Sequence, residues 1–266
     1  MTVRTPYTTL EIGPKYHTQT SERNYARTCD ANQKARKYQE KDLIAIAANP
    51  QDTVRLTIDV WADVVCPWCY IGEYRLKKAV EQFPHADRIE LKIHTFQLDP
   101  TLTNEVRPTT EYLADKYNVS VEQARAMDQS AAEQAQSEGL PYALDRPFSS
   151  TFDMLRLVHL GNEYGVGWDY MWAMQKELFG GNPDVFEHST LIRLGEELGI
   201  PAEKIREVLS TDLYADDVRY DHKTAVELGA RGVPFAVLAD RVGIPGATTT
   251  EQYGQIIARV WEQIND

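Results

Sequence analysis

Cysteine is scarce in this chain, three in 266 residues, too few for the disulfide framework that staples small secreted domains. No run approaches the roughly 18 consecutive apolar residues of a membrane-spanning helix. The opening stretch, MTVRTPYTTLEIGPKYHTQT, lacks the apolar core of a signal peptide. Basic residues are the minority: 28 Lys and Arg stand against 40 Asp and Glu, a formal charge of −12. That balance argues against nucleic acid or an anionic membrane as partner. The six histidines (His17, His85, His94, His159, His188 and His222) offer no pair at metal-ligand spacing, so no metal site is expected. Gly165-Val166-Gly167-Trp168 lacks the third glycine of a dinucleotide-binding loop. What is present, 42% apolar and 26% charged residues, describes a globular chain with ample material for a packed core. The expectation is a soluble cytoplasmic protein, monomer or homodimer.

The organisation changes near residue 52. Residues 1–52 carry eight Lys and Arg against six Asp and Glu and few aliphatic side chains before Leu43, so they read as an N-terminal extension, partly flexible. Only Lys37 to Ala48 has a helical pattern there, and Asn49-Pro50 ends it. The body opens on a β-branched, aromatic strand, Val54 to Trp61. A helix follows from Cys66, with Ile71, Leu76, Ala79, Val80 and Phe83 mostly on one face, and alternation from Ile89 to Leu98 gives a second strand. Residues 109–231 are almost wholly helical: 110–117, 120–139, 152–165, 168–179, 189–198, 202–210 and 216–230. Ser120 with Gln123 forms a capping box. Two short strands, 235–239 and 242–244, and an amphipathic helix, 249–264, close the chain. The order βαβ, helices, ββα is a thioredoxin-like α/β fold with a large all-helical insertion. Its thioredoxin-like parts fall at 53–103 and 216–266, and the insertion at 104–215.

Cys66-Pro67-Trp68-Cys69 is the strongest chemical signal. Three cysteines scattered at random would give a pair at this spacing in about 2% of chains. The pair sits where a strand hands over to a helix, so unpaired backbone N–H groups and the helix dipole stabilise a thiolate at Cys66. Pro67 suits the first helical turn. Cys69 lies one turn along the same face, within disulfide reach. Cys66 is expected to be exposed and to attack, and Cys69 to be more buried and to resolve the mixed disulfide. Trp68 tunes or shields the pair. CxxC also supplies half of a zinc site, but a second ligand pair is wanting, and Cys29 reads as a free thiol without a role.

Gly232-Val233-Pro234-Phe235 stands directly before the third body strand, where thioredoxin-like folds carry a cis-proline opposite the dithiol. In that reading Val233 offers its backbone to an extended substrate and Pro234 keeps a competing N–H away. Asp63-Val64-Val65-Cys66-Pro67-Trp68-Cys69-Tyr70-Ile71-Gly72 resembles the active-site stretch of the DsbA family, in its cytoplasmic FrnE-like branch. Phe96-Gln97-Leu98-Asp99-Pro100, Thr151-Phe152-Asp153-Met154-Leu155-Arg156 and the Val233-Pro234 loop are similar to that branch as well, over about residues 54–264. Pro245-Gly246-Ala247-Thr248 departs from the usual Ser-Gly-Ala-Gln.

The resemblance implies a protein-disulfide oxidoreductase or isomerase acting on protein or small-thiol substrates. It implies no metal, nucleotide or other cofactor beyond the Cys66–Cys69 disulfide, with glutathione the candidate co-substrate. The alternative is a glutathione-dependent transferase or isomerase of the kappa-class or hydroxychromene-carboxylate isomerase type, a branch with serine where Cys66 stands. The buried acid of thioredoxin-like sites lies six residues before the nucleophile, where this chain has Val60. Asp59 is therefore the candidate, although strand alternation turns it from Val60 unless a bulge intervenes. Asp63 is expected to cap or turn the loop. Trp172, with Phe148, Phe152 and Phe179, is a candidate wall of the substrate cleft.

Overall fold

The computed structural model describes residues 10–11 and 55–265; Cys29 and the helix expected over 37–48 lie outside them. Strand β1 (Leu10–Glu11) is followed by β2 (Leu56–Ala62), helix α1 (Pro67–Glu81), β3 (Ile89–Thr95), and the short strand β4 (Arg107–Pro108). Helices α2 (Thr109–Tyr117) and α3 (Val121–Ser137), strand β5 (Pro147–Phe148), and α4 (Phe152–Glu163), α5 (Gly167–Phe179), α6 (His188–Glu197) and α7 (Ala202–Ser210) form the helical stretch. Helix α8 (Ala215–Glu227), strands β6 (Phe235–Leu238) and β7 (Val242–Pro245), and helix α9 (Thr250–Asn265) complete the chain.

The main sheet has the order β1-β7-β6-β2-β3. β2 and β3 run parallel from Leu56 opposite Ile89 to Ala62 opposite Thr95, while β6 lies antiparallel on the other side of β2. Alternation along β2 separates two layers. Leu56, Ile58, Val60 and Ala62 share a core with Ile71 and Leu76 of α1 and Tyr253 and Ile257 of α9. Trp61 packs with Phe96, Phe235 and Ala225 of α8. The sequence reading anticipated these strands and helices to within a few residues, including the Ser120–Gln123 capping box, in which both reciprocal bonds are present. Three strands escaped it. β1 pairs with β7, Leu10 opposite Gly243, and so adds residues of the N-terminal extension to the sheet edge. β4 and β5 make a separate ribbon. Two-residue strands are too short to show a hydrophobic period.

One core cluster runs from the sheet into the helical stretch, joining Val60 and Cys69 to Met154, Leu178 and Ile205. Aromatic stacking ties the two at the dithiol end of α1. Tyr70 stacks on Phe179 of α5 at 4.7 Å between ring centroids. The Arg146 guanidinium lies 4.8 Å from the same Phe179 ring. Arg146 is itself clamped by Asp128 of α3, with Nη1 and Nη2 donating to separate carboxylate oxygens at 2.7 and 2.9 Å. Both ions are out of water, so removing one strands the other without hydration. Asp128→Ala should lower the unfolding free energy by about 3–5 kcal/mol, read by urea denaturation; a loss below about 1 kcal/mol would show that Arg146 finds another partner.

Candidate active site

The site forms where β2 ends. Asp63 follows the strand, its carbonyl accepts from the Cys66 N–H at 3.3 Å, and the chain then turns into α1. Pro67 occupies the first helical turn, where no N–H is needed. Cys66 is the N-cap: its Sγ accepts from the Cys69 N–H at 3.3 Å, taking one of the donors the helix cannot satisfy itself. The Cys66 thiol donates in turn to the Val233 carbonyl at 3.5 Å. The Val233–Pro234 bond is cis. The Gly246 N–H donates to the Pro234 carbonyl at 2.8 Å, fixing this loop to the turn after β7. A Cβ on Gly72 would stand 3.1 Å from the Pro234 ring and 3.2 Å from Ala247. Glycine there lets α1 approach the proline loop closely, with Ala247, from the segment that departs from the family pattern, completing the contact.

Cys66 was expected to be exposed, and it is not: 4% of its surface reaches solvent, against none for Cys69. The Val233 carbonyl and the N-cap position turn its sulfur inward. Trp68 is the open member of the tetrapeptide, 41% exposed. Burial, with the neighbouring Cys66 sulfur and Glu73 adding to it, raises the Cys69 thiol well above its ordinary pKa.

Asp59 does not serve as the buried acid. Its carboxylate accepts from His94 Nε2 at 2.8 Å, and His94 Nδ1 bonds Asp221 of α8 at 3.3 Å. Strand alternation holds without a bulge, so Asp59 sits on the α8 side of the sheet. Burial pulls His94 down, but the Asp221 and Asp59 carboxylates outweigh it and hold the imidazole at about 10. The acid beside the dithiol is Asp63, which sequence reasoning gave only a turn role. It is fully buried, its Oδ2 accepts from the Leu98 N–H at 2.8 Å, and burial pushes its carboxyl up to about 6.

A second buried acid, Glu73, was missed. It lies one turn beyond Cys69, accepts from Gln175 Nε2 of α5 at 2.9 Å, and burial pushes it up to about 8. Its signal was present: Cys69, Glu73, Leu76 and Val80 form one helical stripe, and an acid within an apolar stripe is out of place. Trp172, the candidate cleft wall, is half-buried on α5. It packs on Tyr70 and Tyr74 of α1 at 4.8 and 6.2 Å. Phe148 and Phe179 are buried, and Phe152 is covered by the guanidinium groups of Arg156 and Arg219.

The dithiol at a helix N-terminus opposite a cis-proline agrees with an independent comparison: the family model for the DSBA-like thioredoxin domain matches residues 57–258. The chain belongs to that family. Its members are thiol–disulfide oxidoreductases, and this chain is an enzyme of that kind. A probable DsbA oxidoreductase of Streptomyces coelicolor is 38% identical, with 78% of this chain and 91% of that one aligned, at a TM-score of 0.74. More distant likenesses show the shared fold. A cytosolic disulfide reductase, DsbM of Pseudomonas aeruginosa, is 18% identical over 78% of this chain and 98% of that one, TM-score 0.53. A 2-hydroxychromene-2-carboxylate isomerase is 16% identical over 78% and 97%, TM-score 0.56. No helix among the described residues is long and apolar enough to cross a membrane, and no cluster of metal-ligating side chains occurs among them.

Asp63 carries a stability signature. Its folded pKa lies above the unfolded value of 3.8, so the folded state binds the extra proton. No penalty exists below about pH 4; it grows as pH rises through about 6 and is complete above. Asp63→Asn should therefore gain roughly 3 kcal/mol on the wild type at pH 8 relative to the comparison at pH 4. Urea unfolding at the two pH values reads this directly, and an equal difference at both would mean that the carboxyl is hydrated.

Proposed function

We propose that the enzyme exchanges disulfides through Cys66-Pro67-Trp68-Cys69, with Cys66 attacking and Cys69 resolving. The observation that carries this reading is the asymmetry of the pair. Cys66 caps the helix and faces the proline loop, while Cys69 is wholly buried behind it with a raised pKa. A thiolate is the nucleophile in exchange, so the sulfur at the helix N-terminus attacks first.

The Cys66 thiolate attacks one sulfur of a substrate disulfide, whose other sulfur leaves as a thiolate. Cys69 then loses its proton and attacks Cys66 Sγ, forming the internal disulfide and releasing the second substrate thiolate. The reverse sequence oxidises a substrate dithiol. Val233 lies just outside β6, and in this reading its backbone pairs with an extended substrate while the exposed indole of Trp68 offers apolar contact beside the sulfur. In this reading the substrates are protein disulfides and small thiols such as glutathione. The cytosolic reductase of the same fold favours a cytoplasmic setting, with glutathione as electron partner.

Single-cysteine variants test the reading. With oxidised glutathione as probe, Cys66→Ser should lose exchange by roughly a thousandfold or more. Cys69→Ser should accumulate a mixed disulfide on Cys66, visible by mass. Glutathione turnover that survives Cys69→Ser without such an adduct would favour the transferase or isomerase alternative instead.

A further inference from the structure

The link from α8 to the cis-proline carries a positive charge that the exchange chemistry leaves unused. Helix α8 closes on its own backbone: the Gly229 and Ala230 N–H groups donate to the Val226 and Ala225 carbonyls at 3.0 and 2.9 Å. Its end therefore needs no cationic side chain as a cap. Ala230 then turns inward, Arg231 is exposed, and Gly232 and Val233 are half-buried. Among the described residues, Arg231 takes part in no hydrogen bond, ion pair or ring contact. The charges nearest it in the chain and beside Leu98 are matched: Lys223 lies 3.6 Å from Glu227, and Lys116 lies 3.6 Å from Asp99. Leu98 and Val233 pack on one apolar cluster with Phe96 and Phe235. A Cβ on Gly232 would meet nothing within 4 Å, and Gly232 is not among the glycines with positive φ. Neither packing nor backbone conformation demands glycine there. Its bare backbone leaves the strip from Arg231 to Val233 open to an approaching molecule.

Resting on the exchange reading above, we propose that Arg231 is a specificity-determining residue that selects disulfides carrying a carboxylate close to the reacting sulfur. Oxidised glutathione is such a disulfide. The Val233 carbonyl lies 3.5 Å from Cys66 Sγ, and the Arg231 and Val233 Cα atoms are at most about 7 Å apart. The guanidinium is thus within reach of a group only a few bonds from the sulfur under attack. Its planar fork meets a carboxylate with two parallel hydrogen bonds. The chain as a whole has a formal charge of −12 and repels anions at a distance. One unpaired cation at the mouth reverses that locally. With the carboxylate held on Arg231, the Cys66 thiolate attacks the near sulfur. The new bond joins Cys66 to that half, the substrate S–S bond breaks, and the other half leaves as a thiolate that takes a proton from water.

Three small disulfides of different charge read the assignment: oxidised glutathione (anionic), hydroxyethyl disulfide (neutral) and cystamine (cationic). Each is mixed with reduced protein at neutral pH, and the second-order rate constant of protein oxidation is taken by rapid acid quench. Arg231→Gln should slow the glutathione reaction about fivefold, the upper end of what one exposed ion pair carries, and leave hydroxyethyl disulfide within about twofold. Arg231→Glu should slow glutathione by roughly tenfold or more and speed cystamine. Arg231→Lys, which keeps the charge and loses the fork, should fall between wild type and Arg231→Gln. The advantage of glutathione over the neutral disulfide should shrink in the wild type as salt rises, and not in Arg231→Gln. An unchanged glutathione rate in Arg231→Glu, or an equal slowing of all three disulfides, would overturn the assignment while leaving exchange intact. Failure of the wild type to be oxidised by any of the three would overturn the exchange reading itself.

Discussion

The constraint on which the site depends is the removal of acids from water. Asp63, Cys69 and Glu73 are all buried along one short path from the end of β2 into α1. An ion moved out of water loses several kcal/mol of hydration, so each group leans toward its protonated form. That is why both carboxyls titrate above their ordinary range and Cys69 stays a thiol. Cys66 differs in position: its sulfur accepts a backbone N–H from the turn of helix it caps. Two cysteines three residues apart thus differ in chemistry because one meets a helix end and the other a sealed core.

Sealing that core is the work of the helical stretch. The ring of Tyr70, next in chain to Cys69, is covered by Phe179 and Trp172 of α5. Gln175, from the same face of the same helix, supplies the only polar contact to Glu73 among the described side-chain hydrogen bonds. Arg146 and Asp128 hold Phe179 from behind. The segment inserted between the βαβ and ββα parts therefore governs the dielectric of the dithiol, and a change several ångströms from sulfur can alter its proton chemistry.

Much of this was legible in the chain. The CxxC spacing, the proline immediately before Phe235 and the order of elements are local signals, each carried by a few neighbouring residues. The identity of the buried acid was not local. Asp59 and Asp63 are both acids near the dithiol, and which is desolvated depends on the Leu98 segment folding over one and His94 and Asp221 closing on the other. Strand parity already argued against Asp59, and parity proved the better guide than distance along the chain. The aromatic residues of the insertion were recognised as important, but periodicity shows which side chains turn inward and not what they meet there, so their packing on Tyr70 was not legible.

The Asp59–His94–Asp221 cluster is bound up with the site through the backbone. Asp221 Oδ2 accepts from the Thr95 N–H at 2.9 Å, and the next residue, Phe96, donates its N–H to the Ala62 carbonyl at 2.9 Å. Two residues further on, Leu98 donates to Asp63. The imidazolium between two carboxylates pins the end of β3 from the α8 side, so that the segment leaving it lies over the end of β2. Desolvation of Asp63 requires that cover. The ion cluster behind the sheet and the buried acid in front of it are then one arrangement: the charges paired on the far side hold in place the cover that desolvates Asp63 on the near side.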